Sequence, residues 1–315
     1  MSAGDNALHL ALIGFGEAAG GFARDLATRP AVAGIGAYDI LFDRPQDPRG
    51  AVLRGRAAEL GVSCRPDAAS AMQGAQVVIC AVTASAALDA ARAAAGHIAA
   101  GQFYLDVNSV APETKRRAAA IVDGAGGRYV EAAVMGAVPP KGIAVPMLLG
   151  GAHAAAAKAL LDPLGMNLAI ASAEIGHASA IKMTRSIMIK GIEALAVECV
   201  LTAEHYGTSE EVIASLDQTF EGQDWQNLLG YLVSRVMLHG QRRSEEMREV
   251  AATVAAAGLE PLMATATADR QEWVARLGLR EAVGDGPQHS YRDLAAAVRR
   301  RLQAPEAETP DGRKT

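Results

Sequence analysis

The stretch HLALIGFGEAAGG, His9 to Gly21, constrains the fold more than any other. A short apolar run, His9 to Phe15, breaks into glycines and then into a helical pattern lasting to Leu26, which predicts strand, turn and helix in succession. Gly14 suits the tight turn, Gly16 leaves room for a pyrophosphate beside the backbone, and Ala19 stands where a third small residue packs helix against strand. Phe15, Glu17 and Ala18 complete the turn, whose free helix-start amides face the diphosphate. That spacing alone is weak evidence in a chain rich in Ala and Gly, but its context strengthens it. The next strand-like run, Ile35 to Leu41, places Asp39 25 residues after Gly14, where an acidic side chain accepts hydrogen bonds from an adenosine ribose. Asp39 repels a 2′-phosphate, which favours NAD over NADP; Arg44 is the nearby residue able to pair with that phosphate.

Further strand-like runs follow at Val77 to Thr83, Phe103 to Ser109 and Arg128 to Gly136, with Ala-rich helical segments among them. The alternation predicts an α/β fold of the Rossmann type, a mostly parallel sheet covered by helices on both faces. Ligands in such sheets lie beyond the carboxyl ends of the strands, which nominates Val82, Thr83, Asn108, Ser109, Met135, Gly136 and Ala137 for cofactor or substrate. From Glu174 onward apolar residues recur at helical spacing. Gly176 to about His205 reads as one helix of about 40 Å or more, a spine between domains. The expected organisation is a dinucleotide-binding domain over residues 1–173, an all-α domain over 174–302, and a disordered Pro-rich, charged tail over 303–315.

Composition removes several classes of partner. The net charge of −5 provides no basic excess to neutralise phosphates, and 4% aromatic residues leaves little to stack on bases, so nucleic acid is not expected. No uncharged apolar run reaches the roughly 18 residues that span a membrane, and the N-terminus lacks a signal-peptide pattern, giving an expected cytoplasmic location. Cys64, Cys80 and Cys199 show no paired spacing, which points to a reducing compartment without structural disulfides or a metal site. Cys64 and Cys80 lie in strand-like runs and are expected in the core.

Within the spine, GHASAIKMTRS places Lys182, Arg185 and Ser186 on one face, continued by Ile189 and Glu193. A polar stripe on a helix otherwise rich in Ala, Met and Ile needs solvent or a polar cleft. Downstream, His239, Arg242 and Arg243 read either as a cationic wall over an acidic substrate or as an exposed helix face with Arg243 paired to Glu246.

Four blocks together resemble the β-hydroxyacid dehydrogenases, the family of 3-hydroxyisobutyrate dehydrogenase and the more distant 6-phosphogluconate dehydrogenase. They are IGFGEAAGG; DVNSVAP, Asp106 to Pro112; YVEAAVMGAVPPKG with PMLLGG, Tyr129 to Gly151; and GHASAIKMTRS. The resemblance covers about residues 8 to 200. HGQRRSEEM and GLEPLM further downstream resemble a subgroup whose C-terminal domain has no assigned role. The resemblance implies a general acid/base at Lys182, cofactor and substrate contacts from the DVNS block, a carboxylate-holding loop at Val134 to Ala137, and an all-α domain used for dimerisation. Two departures stand out. Met135 replaces the loop serine, and Arg185 and Ser186 stand where the family has two asparagines. Ser186 retains a hydroxyl to orient the reacting group, and Arg185 supplies a planar cationic fork suited to a carboxylate.

The expected activity is reversible hydride transfer between a nicotinamide and a carboxylate-bearing 3-hydroxyacid. Lys182 serves both directions if its pKa, ordinarily about 10.4, is lowered by burial or a neighbouring cation such as Arg185. Rival readings are an imine or enamine reductase on the same scaffold and a dinucleotide-binding protein without catalysis.

Overall fold

The computed structural model describes residues 7–44, 46–283 and 290–303. The tail after Gln303 lies outside the described residues. The chain forms two compact units, one of Met1–Arg185 with Ala252–Leu259, the other of Ser186–Ala251 with Glu260–Thr315. The division falls inside the spine helix, so its first turns, Lys182 included, belong with the sheet.

In the first unit, strands β1 (Leu8–Ile13), β2 (Val32–Tyr38), β3 (Ser63–Cys64), β4 (Val77–Cys80), β5 (Phe103–Asp106), β6 (Arg128–Val134), β7 (Met147–Gly150) and β8 (Leu168–Ser172) make one sheet in the order β3-β2-β1-β4-β5-β6-β7-β8. Strands β1 to β6 are mutually parallel; β7 runs antiparallel to β6 and parallel to β8. Helices α1 (Glu17–Leu26), α2 (Pro48–Glu59), α3 (Ala68–Met72), α4 (Ala87–Ala95), α5 (Pro112–Gly124), the short turn α6 (Val138–Lys141) and α7 (Ala154–Leu161) connect them. Successive strand side chains point to opposite faces. Accordingly Leu10, Leu12, Ile79 and Leu105 pack with Phe22 and Leu26 in one core. Ala11, Ile13, Val78, Cys80, Tyr104 and Tyr129 pack with Met72 and Val122 in another. Cys80 is buried as expected, whereas Cys64, on the two-residue edge strand β3, is exposed, because so short an edge has nothing over it to bury against.

The spine is α8 (His177–Tyr206). It is followed by α9 (Ser209–Thr219), α10 (Trp225–Ala256), α11 (Leu262–Arg276) and α12 (Tyr291–Gln303). The core of the second unit joins Val197 and Val200 of α8, Leu232, Val233 and Val236 of α10, Val274 of α11 and Leu294 of α12. Among the described residues no helix is long and apolar enough to cross a membrane.

Candidate active site

The glycine turn is built as its sequence requires. Gly14 has φ of +84°, its amide donates to the Tyr38 carbonyl at 2.8 Å, and a Cβ there would lie 2.4 Å from the Ala81 carbonyl oxygen. A side chain is excluded both by conformation and by space. Gly16 caps α1 without a side-chain hydrogen bond, and a Cβ on it would meet nothing within 4 Å. Uncapped first-turn amides beside open space fit a diphosphate, with exposed Glu17 and half-buried Ala18 at its edge. The Phe15 ring is buried against Phe42, and its amide donates to Asp39 Oδ2 at 2.7 Å. Asp39 Oδ1 accepts the Leu41 amide at 2.9 Å. The acid expected at the ribose thus also fixes the glycine turn, and the remaining lone pairs of its oxygens are free in geometry to take ribose hydroxyls. Just past β2, Arg44 is exposed and lines a cleft of about 690 Å³ with Asp47 and Arg49.

At the carboxyl ends of β4 and β5, Asn108 is buried with both ends of its amide engaged. Its Oδ1 accepts the Val82 amide at 2.7 Å and its Nδ2 donates to Cys80 Sγ at 3.3 Å. The sequence nominated Asn108 for substrate; the structure uses its side chain to tie β4 to β5, while Val82 is half-buried and Thr83 exposed beside it. Beneath lies a buried network that sequence reasoning missed. Lys115 Nζ pairs with Asp106 Oδ1 at 2.9 Å and donates to the Asp106 carbonyl at 2.8 Å. The Tyr129 hydroxyl donates to Asp106 Oδ2 at 2.7 Å, and the Asn108 amide donates to Oδ1 at 2.9 Å. Burial and then the Asp106 charge hold the Tyr129 hydroxyl well above its ordinary pKa, and the same causes push the Cys80 thiol up to about 12. Neither group ionises near neutral pH, so the network stays a fixed frame. A signal for Lys115 was present: with Ala118, Ala119 and Val122 it falls on the buried stripe of α5.

The start of α8 is held from a distance. No side chain at Gly176 can cap it; instead buried Glu131 of β6 accepts the amides of Gly176 and Ser179, each at 2.6 Å. A lone acid within the buried run YVEAAV was the readable sign of that role. Two turns into α8, Lys182 Nζ donates to Ser109 Oγ at 2.5 Å. Lys182 is half-buried and Ser186 buried, but Arg185 and Ile189 are exposed, so the predicted stripe divides between a covered and an open part. Met135 is half-buried, and Gly136 and Ala137 are exposed beyond β6.

In the helical unit, the predicted cationic wall is largely neutralised. Arg242 pairs with Glu246, which also receives Lys190 Nζ at 2.6 Å. Arg243, expected beside Glu246, instead reaches across to Glu193 of α8, where Gln271 of α11 also donates. His239 Nε2 lies 3.0 Å from Arg235 Nη1. Because a guanidinium only donates, His239 accepts there as neutral imidazole with its hydrogen on Nδ1. Burial first, then Arg235, Arg242, Arg243 and Arg280, lower its pKa to about 3.

Residues 37–173 match the NAD binding domain of 6-phosphogluconate dehydrogenase, and residues 203–274 match a domain of unknown function, DUF1932. The chain is 38% identical to a conserved hypothetical protein from Sinorhizobium meliloti 1021, over 95% of this chain and 98% of that one, with a TM-score of 0.68. It is 32% identical to MTH1747, a conserved protein of unknown function described as structurally similar to 3-hydroxyacid dehydrogenases, over 87% and 99% of the two chains, with a TM-score of 0.63. Mycobacterium tuberculosis 3-hydroxyisobutyrate dehydrogenase shares the fold at 16% identity and a TM-score of 0.68, over 93% and 99%.

Proposed function

For a chain that belongs to the family joining a 6-phosphogluconate dehydrogenase-type NAD-binding domain to a DUF1932 domain, on a 3-hydroxyisobutyrate dehydrogenase-like fold, we propose NAD-dependent oxidation of a 3-hydroxyacid, and the reverse reduction, with Lys182 as general acid/base. The observation that carries this reading is the Lys182 to Ser109 hydrogen bond of 2.5 Å, which joins the spine helix to the DVNS block in the unit that holds the glycine turn.

Gly14, Phe15, Gly16, Glu17, Ala18, Asp39, Val82 and Thr83 hold the dinucleotide, which when bound supplies the hydride acceptor. Lys182 takes the proton from the substrate hydroxyl as hydride leaves and returns it in the reverse direction. Ser109 orients the lysine through its hydroxyl. The exposed fork of Arg185 takes the substrate carboxylate, helped by Met135, Gly136 and Ala137. The Asp39 carboxylate, with no guanidinium paired to it among the described residues, favours NAD over NADP.

A panel of 3-hydroxyacids, aromatic and dicarboxylic ones included, scored by NADH production, tests the proposal. Lys182→Met should retain NAD binding and lose roughly 10²–10⁴-fold in turnover. Undiminished turnover in that variant rules out the lysine's role. NAD binding with no turnover across the panel would mark a dinucleotide-binding protein without catalysis.

A further inference from the structure

We infer that the helical unit carries a binding site for a small oxyanion, a carboxylate or a phosphate, built on Arg235 and His239 of α10. The inference is independent of the dehydrogenase reading, because every residue in it belongs to the second unit and its test measures binding alone.

Charge pairing along α10 isolates the site. Arg235, His239, Arg242 and Glu246 recur at spacings of four, three and four, so they share one face. Arg242 and Arg243 are matched to Glu246 and Glu193. Arg235 is not matched: among the described residues its recorded hydrogen bond goes to a neutral imidazole, and its Nε is buried with no partner. The carboxylate close enough to act on it electrostatically is Glu193, which is already bonded to Arg243 and Gln271.

A half-buried guanidinium without a counter-charge is costly, since desolvation weakens its hydration and Arg242 and Arg243 repel it. A bound oxyanion removes that cost. The planar fork of Arg235 presents parallel N–H donors, the geometry that carboxylate and phosphate accept bidentately. His239 fixes the fork by accepting from Nη1. The imidazole is held neutral by burial first and then by the surrounding arginines, so it accepts from Arg235 without repelling it.

The test uses the full chain at low ionic strength, with inorganic phosphate and malonate as separate probes. Binding is followed by calorimetry and by the ring-nitrogen NMR signals of His239. Saturable binding of at least one probe, with a shift of the His239 signals, is expected; the probe that binds more tightly distinguishes phosphate from carboxylate. Arg235→Gln should weaken binding by roughly tenfold or more, Arg235→Lys by less, and Arg242→Gln by under about threefold, since only the first removes an unmatched charge with its fork. If Arg235→Gln fails to fold, the His239 response of the native chain and the Arg235→Lys affinity decide the matter. No His239 response to either probe up to roughly 10 mM, a regime weaker than about 3 kcal/mol of binding, overturns the site. So does an affinity that Arg235→Gln leaves unchanged.

Discussion

Asp106 in the sheet unit and Glu193 in the helical unit are both buried carboxylates with a buried cation attached, but their surroundings differ. Asp106 accepts from Lys115, the Tyr129 hydroxyl and the Asn108 amide, and Lys115 spends a further hydrogen on the Asp106 carbonyl. Around Glu193, the Nε of Arg243, the Nε of Arg235 and the Oε1 of Gln271 are buried without partners. The first arrangement fixes backbone: it sets the carboxyl ends of β4 and β5 and, with Glu131, the start of α8. The second joins helices while leaving polar capacity over. Among the described residues the Tyr104 hydroxyl is left over near Asp106, against three groups near Glu193; the more fully satisfied arrangement makes a frame, and the less satisfied one leaves groups for a ligand.

The sharpest way to break this comparison is to remove one member of the frame. Lys115→Met leaves Asp106 buried and uncompensated, and should cost about 3–5 kcal/mol, read as the denaturant midpoint at constant slope. A loss below about 1 kcal/mol would mean that the frame is not the rigid element of the pair. Next comes Glu131→Gln, which replaces one accepting oxygen with a donor facing a helix amide. A loss of about 1–3 kcal/mol is expected, with faster hydrogen exchange at Gly176 and Ser179. If turnover is found, it should fall in this variant while NAD affinity holds, because Glu131 acts on the position of Lys182 and not on the glycine turn.

How much of this was readable divides along the same line. The parallel strands, the glycine turn and the spine helix were legible because they rest on local pattern: an apolar run, a glycine where φ must be positive, a 3.6-residue period. Strands β7 and β8 were not separated from loops; β8 faces solvent along much of its length. Asn108 was expected at the substrate, and its side chain also ties the ends of two strands, a use that a polar residue at a strand end does not announce in sequence. Glu131 and Lys115 act across 45 and 9 residues of sequence, and such pairing has no local signature beyond a charge in an apolar stripe. Arg235 carries no local signature, being a single arginine in an apolar helical run ahead of the denser charge run at His239 to Met247.

His239 gives the helical unit a pH signature that the sheet frame lacks. Its pKa is lowered to about 3 in the folded chain from an ordinary 6.5, by burial and then by the arginines around it. Between those values the unfolded chain binds a proton that the folded chain refuses, so stability rises with pH through that window. Its contribution is complete above 6.5 and is lost progressively as pH falls towards 3. His239→Gln should flatten that part of the profile of the helical unit, measured by thermal unfolding from pH 4 to pH 7. A saturating oxyanion should raise the folded pKa by offsetting the cations that oppose protonation, so that less stability is lost as pH falls below 6.5.

The smallest effect expected belongs to Arg242, the residue that the sequence offered as a substrate contact. Its side chain is 48% exposed and meets a carboxylate that Lys190 already holds from the buried side. Removing an exposed partner whose acceptor stays compensated should cost about 0.2–1 kcal/mol, and that interaction should weaken further with salt. Arg242→Gln is thus the counterpart of Lys115→Met. Each removes a cation from a buried carboxylate, but only in the sheet unit does that leave the carboxylate without a countercharge. Losses of equal size in the two variants would mean that Lys190 does not hold Glu246, and that the helical network depends on every charge as the sheet frame does.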